Sequence, residues 1–183
     1  MHAVIDHPFS PIVGPGSRVL ILGTMASPKS RENGFYYGHP QNRFWPALAA
    51  VFGQAVPHTQ EAREALLLSN GLALWDVLLR CEIDGAADAS IRNPVPNDIP
   101  ALLSAYPIER IFTTGQTAAR LYRQLVEPQT HLPCTALPSP SPANRRVPFD
   151  ALVEAYAALR DTAHTSVEQG FRRHGFRRHG WGE

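Results

Sequence analysis

Residues 19–45 read VLILGTMASPKSRENGFYYGHPQNRFW, and the change of texture along that stretch decides the fold. Val19, Leu20, Ile21 and Leu22 are four aliphatics in a row. An unbroken run of this kind belongs to a parallel strand covered on both faces, because a half-exposed strand would alternate. Gly23-Thr24 ends the run, and a loop punctuated by Gly and Pro follows. Phe44, Leu48, Val51 and Phe52 then recur at helical spacing, with Pro46 tolerated in the first turn. A loop leaving the carboxyl end of such a strand is where open α/β sheets hold their ligand. This one carries flat faces (Phe35, Tyr36, Tyr37), an amide (Asn42) and cations (Lys29, Arg31, Arg43). Those groups can stack a planar base, read its edge and neutralise phosphate.

Further elements follow on either side. The strand is expected over Arg18–Gly23, after an irregular Pro- and Gly-rich lead-in at residues 1–17. A helix capped by Thr59 runs to Ser69 and ends at Asn70-Gly71. Leu72 to Leu79 reads as a short strand passing into a helical turn around Asp76, and Cys81 to Pro96 as a polar loop. Asn97 is placed as the cap of a helix reaching Tyr106. Ile108 to Thr114 is a strand, Gln116 to Val126 a helix and Thr135 to Leu137 a short strand. A loop from Pro138 to Arg146 leads to a last helix, Val147 to Asp161, with Leu152, Ala155, Tyr156 and Leu159 on its apolar face. Strands alternating with helices imply an α/β fold, a mostly parallel sheet with helices on both faces. One domain is expected over residues 1–164. Residues 165–183 are expected to form a flexible basic tail, in which the pentapeptide GFRRH occurs twice in tandem.

The chain has 183 residues, 44% of them hydrophobic and 18% charged, so it can bury a core and is globular in composition. No apolar run approaches the ~20 residues of a membrane span, and no charged-then-apolar leader opens the sequence. Cys81 and Cys134 stand singly and are expected reduced. These features lead us to expect a soluble cytoplasmic protein. Formal net charge is +1, so attraction to nucleic acid must come from a local patch. Lys29 is the single lysine of the chain.

The second notable loop, Leu137 to Arg146, reads LPSPSPANRR. Pro138, Pro140 and Pro142 stiffen it, and a rigid loop of small residues can wedge into a duplex at little entropic cost. Arg145 and Arg146 would flank such a wedge. Ser139 has the equipment to bind a phosphate near the helix that follows.

Three segments of the first loop carry a family resemblance: Gly23-Thr24-Met25-Ala26-Ser27, Tyr36-Tyr37-Gly38-His39-Pro40 and Asn42-Arg43-Phe44-Trp45. They resemble motif 1 of the uracil-DNA glycosylase superfamily, and look most like its hypoxanthine-DNA glycosylase branch. Leu137-Pro138-Ser139-Pro140-Ser141-Pro142 resembles the superfamily's motif 2. The similarity extends from about Arg18 to Arg160. It implies a three-layer α/β/α sandwich around a four-stranded, mostly parallel sheet. It also implies an enzyme that flips a damaged deoxynucleotide out of DNA and hydrolyses its N-glycosidic bond, without metal or cofactor. Many relatives carry Asn or Asp at the position of Met25 to activate water, and His or Asn at that of Leu137. The hypoxanthine branch lacks both and uses the Asn of its N-x-F-W text, here Asn42. An Asn found in that branch after the fourth strand is replaced here by Thr114.

The resemblance and the residues together give a candidate set. Asn42 is the expected catalyst: its amide can donate to a departing base or orient water. A helix cap for Phe44 is its plainer role. Gly23, Thr24, Met25, Tyr37, His39 and Thr114 are expected at the base, with Tyr37 as the stacking face. Ser27, Lys29, Ser139, Pro140, Ser141, Asn144 and Arg145 are expected at the DNA. Phe44 and Trp45 read as core. Asp76 and Asp88 could act as general bases, with a surface turn cap as the plainer role of each. Strand-nicking glycosylases need an amine for a Schiff base. The single lysine sits in a loop suited to phosphate contact, so a monofunctional enzyme is expected, working as a monomer on damaged DNA. The competing reading is a non-catalytic nucleic-acid or nucleotide binder on the same fold, motivated by Met25 and Leu137. No serine lies in a G-x-S-x-G elbow, which argues against a serine hydrolase.

Overall fold

The computed structural model describes the backbone of residues 3–173 and the side chains of residues 3–162. Its elements run β1 (Ala3–Asp6), β2 (Val19–Gly23), α1 (Pro28–Asn33), α2 (Phe44–Phe52), α3 (Gln60–Ser69), β3 (Leu72–Asp76) and β4 (Leu78–Ile83). They continue with β5 (Arg92–Pro96), α4 (Ile99–Ala105), β6 (Arg110–Thr114), α5 (Gln116–Leu125), α6 (Glu127–Thr130), β7 (Cys134–Leu137) and α7 (Phe149–Arg173).

The aliphatic run of β2 is explained by its position. It lies inside a four-stranded sheet of order β3-β2-β6-β7, parallel to both neighbours. Its side chains alternate between two buried cores. Val19 and Ile21 pack with Phe44, Trp45 and Leu48 of α2, Leu67 of α3, and Leu152, Tyr156 and Leu159 of α7. Leu20 and Leu22 pack on the other side with Ile99 and Leu102 of α4 and Ala118, Leu121 and Tyr122 of α5. Neither face meets water, so neither can be polar. Phe44 and Trp45 are core residues, as expected.

A second sheet departs from the sequence reading. β1, β4 and β5 form a three-stranded sheet of order β1-β4-β5, antiparallel throughout. The lead-in therefore contains a strand, the expected helical turn is β, and the two ends of the expected polar loop pair as strands while residues 84–91 stay outside the sheet. These strands are short and half-covered. In β4, Cys81 and Ile83 are buried while Leu79 and Arg80 are exposed, so no apolar run marks it. Pro94 and Pro96 of β5 are acceptable because an edge strand need not donate on its outer side. The joint between β3 and β4 is held by buried Asn97, whose Nδ2 donates to Asp76 O at 2.9 Å and Leu78 O at 3.1 Å. The cap of α4 is instead Asp98, which accepts from Ala101 N at 3.1 Å. α7 continues past Asp161 to Arg173, so residues 165–173 extend a helix; the remainder of the expected tail lies outside the described residues. No helix among the described residues is long and apolar enough to cross a membrane, and both cysteines are free thiols.

Candidate active site

A cavity of about 700 Å³ opens at the carboxyl ends of the parallel strands. That falls inside the roughly 300–1,000 Å³ of small-molecule sites. The first loop, the Pro-rich loop and residues 86–89 wall it. Gly23, Thr24, Met25, Ser27, Tyr37, His39, Asn42 and Thr114 all line it, with Ser139, Pro140, Ser141 and Asn144 opposite. Lys29 and Arg145 lie outside the lining.

Asn42 lines the cavity and also bonds to the start of α2. Its Oδ1 accepts from Phe44 N at 2.9 Å, closing the first turn of α2. An N–H needs an acceptor, so this bond fixes which way the amide faces. Nδ2 is then the end left for the cavity that Asn42 lines.

Tyr37 adopts the left-handed backbone region at φ 52°, a conformation costing a non-glycine residue about 1–2 kcal/mol. Its neighbours hold it there. Tyr36 is anchored by its hydroxyl to Ser10 O and by Trp45 Nε1 on its carbonyl, and Gly38 N donates to Ser30 Oγ. The Tyr37 ring stacks on Phe44 at 4.0 Å between centroids and 15° between planes. Its hydroxyl sits 2.8 Å from Thr114 Oγ1. Burial, helped by the Asp76 charge, raises its pKa well above the ordinary value, so the phenol stays neutral. His39 Nδ1 accepts from Gln41 N at 3.0 Å, which leaves the proton of a neutral ring on Nε2.

The cations are placed differently from the sequence reading. Arg43 donates to Val147 O at 2.6 Å and Asn144 O at 2.8 Å, while its backbone N–H donates to Pro140 O at 3.1 Å. It straps one loop to the other rather than facing phosphate. Arg31 donates to Ala26 O, and Lys29 pairs with Glu32. Ser27 caps α1 by accepting from Ser30 N. In the second loop Pro140 is buried, Tyr156 donates to Pro138 O at 2.9 Å and Asn144 Nδ2 to Ser139 O at 3.0 Å. The exposed rim is Ala143, Arg145 and Arg146.

Sequence reasoning missed His7. Its Nε2 lies 2.6 Å from Asp76 Oδ2, with the two side chains only 1% and 6% exposed. Asp76 is thus a buried cavity residue, not a surface turn cap. Its Oδ1 lies against Gly23, where a β-carbon would sit 2.3 Å away. An aspartate ending an aliphatic strand was the one available signal; nothing in sequence joins it to His7. Asp88 is also in the lining. Its Oδ2 accepts from Thr24 Oγ1 at 3.2 Å. Among the described residues no group of three or more His, Cys, Asp or Glu converges as a metal site would require.

Comparison with known proteins places the chain in a family. A model of the uracil DNA glycosylase superfamily matches residues 11–160. A hypoxanthine DNA glycosylase of Methanosarcina acetivorans is 29% identical over 144 residues, covering 78% of this chain and 90% of the relative. Another from Methanosarcina barkeri is 30% identical over 100 residues, covering 54% of this chain and 63% of the relative. The solution NMR structure of a candidate uracil DNA glycosylase from Methanosarcina acetivorans superposes with a TM-score of 0.74 at 27% identity, over 87% of this chain and 98% of that one. The matched span contains every strand that contributes to the cavity floor, and the chain belongs to the uracil DNA glycosylase superfamily.

Proposed function

We propose that the chain is a monofunctional DNA glycosylase of base excision repair. It hydrolyses the N-glycosidic bond of a deaminated base, hypoxanthine by preference and uracil as a second substrate, turned out of DNA into the cavity. It acts as a cytoplasmic monomer. The observation that carries this reading is the oriented amide of Asn42, its oxygen occupied by Phe44 N and its donor end left for a base.

Cleavage passes through an oxocarbenium-like sugar while negative charge builds on the leaving base. A preorganised donor at that charge is worth about 3 kcal/mol in a site that excludes water. Asn42 Nδ2 supplies it without any titration. Tyr37, braced by Phe44 on one face and by Thr114 at its hydroxyl, offers the base a rigid, neutral platform. The rim arginines, Arg145 and Arg146, meet the phosphates flanking the extruded nucleotide, and Lys29 meets the backbone further along. Two hypoxanthine DNA glycosylases among the relatives favour the larger base, and the cavity has room for a purine.

Incubation with a duplex carrying one deoxyinosine, followed by chromatography of the products, tests this directly. Free hypoxanthine and an alkali-labile abasic site are expected. Binding without release of any deaminated base would instead make the chain a binder only. Asn42→Asp separates the amide's two roles: it keeps an acceptor for Phe44 N but removes the donor. It should fold normally and lose about 10²–10³ in single-turnover rate. Full activity in that variant would move catalysis elsewhere.

A further inference from the structure

We propose that Asp88 is the general base that takes the proton from the attacking water. This rests on the glycosylase reading and completes it. Hydrolysis breaks C1′–N9, and the electron pair leaves with hypoxanthine. The water oxygen bonds to C1′, one water proton stays as the new hydroxyl, and the other must pass to an acceptor. Met25, at the start of the first loop, lines the cavity but its thioether cannot take a proton, so the acceptor must come from another residue.

The cavity offers few alternatives. Asp76 Oδ2 is held at 2.6 Å by His7, and its Oδ1 is wedged against Gly23. The His39 Nδ1 lone pair is used by Gln41 N. Asp88 differs in that only its Oδ2 is engaged, by Thr24; Oδ1 has no hydrogen-bond partner among the described residues. It is the one polar side chain in the run Ala86-Ala87-Asp88-Ala89 that lines the cavity. The run is held in shape: Ser90 Oγ accepts from Asp84 N at 2.8 Å and donates to Ala87 O at 2.7 Å. Because Thr24 directly follows Gly23 at the end of β2, its hydroxyl holds the carboxylate near the carboxyl ends of the parallel strands.

The charged and titratable surroundings fit the role. Asp88 is exposed as a residue, but desolvation of its carboxylate beside Thr24 raises its pKa from the ordinary range; the Thr24 bond opposes this, Asp76 adds to it and Arg120 of α5 opposes it. The Asp88 charge in turn helps to raise the Cys81 thiol of β4 and the Tyr37 phenol. A carboxylate with a raised pKa is the better proton acceptor near neutral pH.

The test uses the full chain and the deoxyinosine duplex under single-turnover conditions. Asp88→Asn keeps an oxygen for Thr24 and should lower the rate by about 100-fold or more, while the duplex Kd stays within about threefold. The acid limb of the wild-type pH–rate profile should vanish in that variant. Formate should partly restore Asp88→Ala and leave the wild type unchanged, which a purely structural residue would not produce. An Asp88→Asn rate within about fivefold of wild type, or an acid limb left in place, overturns the assignment. Wild-type protein that releases no hypoxanthine at all refutes the glycosylase reading itself and takes this role with it.

Discussion

Gly23 ends the central strand where a side chain has no room, and replacing it probes the buried pair beneath the cavity. A β-carbon there would lie 2.3 Å from Asp76 Oδ1 and 3.0 Å from the Tyr37 hydroxyl. Carbon–oxygen contacts normally settle at about 3.3–3.6 Å, so in Gly23→Ala the carboxylate must retreat by about 1 Å. The glycine backbone is not in the left-handed region, so the cost is packing and not strain of the main chain. Asp76 cannot retreat freely. Its other oxygen is 2.6 Å from His7 Nε2, and both side chains are almost wholly buried. Losing a buried hydrogen bond to a carboxylate costs about 1.5–3 kcal/mol. At about 2–4 °C per kcal/mol for a chain of this length, Tm should fall by roughly 3–12 °C. Thermal unfolding followed by calorimetry reads this, with Gly16→Ala as the control because nothing lies within 4 Å of the place its β-carbon would take. A double-mutant cycle isolates the cause: in an Asp76→Ala background the same glycine change should cost less than about 1 kcal/mol. A Gly23→Ala protein melting within about 2 °C of wild type, or an equal cost in both backgrounds, refutes the reasoning.

Arg43→Met removes the bonds to Val147 O and Asn144 O. It should cost about 3 kcal/mol by denaturant unfolding while leaving the salt dependence of duplex binding unchanged, because Arg43 is a strap. Arg145→Ala, at the exposed rim, should do the reverse: normal stability, and a salt slope reduced by about one phosphate contact. Tyr156→Phe leaves Pro138 O without its donor; a loss of about 1–2 kcal/mol, with slower base release from a loosened loop, is expected from unfolding and single-turnover assays. Asp88 has a raised folded-state pKa, so the folded protein holds its proton more tightly than the unfolded chain does. Wild-type stability relative to Asp88→Asn should therefore fall as pH rises through the acid range and level off above it, as paired melts across pH would show.

The parallel sheet was legible because its signal is local. Val19 to Leu22 is apolar at every position, and only a strand between two layers asks for that; the structure sends alternate residues of it into two different cores. The antiparallel sheet was hidden for the converse reason. Ala3–Asp6 has just four residues, with mostly exposed side chains, and its partner β4 mixes exposed Leu79 and Arg80 with buried Cys81 and Ile83. What makes these segments strands is pairing across a wide gap, as in Asp6 opposite Arg80, and that lies beyond any window of periodicity. Asn97 misled for a related reason. Its amide suits a cap, but the neighbouring Asp98 serves that purpose, which leaves Asn97 to hold a strand joint.

The site divides along the same line. Residues within the first loop were readable because one segment carries the stacking ring, the amide and the tight turns, so their types and spacing already constrain their geometry. The two carboxylates of the cavity were readable as candidate bases, but their partners were not. Asp76 acquires His7 across 69 positions and Asp88 acquires Thr24 across 64, and each partner is an ordinary residue until the sheet order brings the two together. The arginines make the converse point. Arg43 sits within the segment read as phosphate-binding, yet the closing of the two loops leaves backbone carbonyls in its reach, and a guanidinium satisfies such oxygens better than water does in a half-buried seam. A cation next to a motif is therefore weak support for phosphate contact where two loops must be tied. A carboxylate at the end of a buried strand is a stronger pointer to chemistry, because burying it demands a partner, and the fold has supplied one.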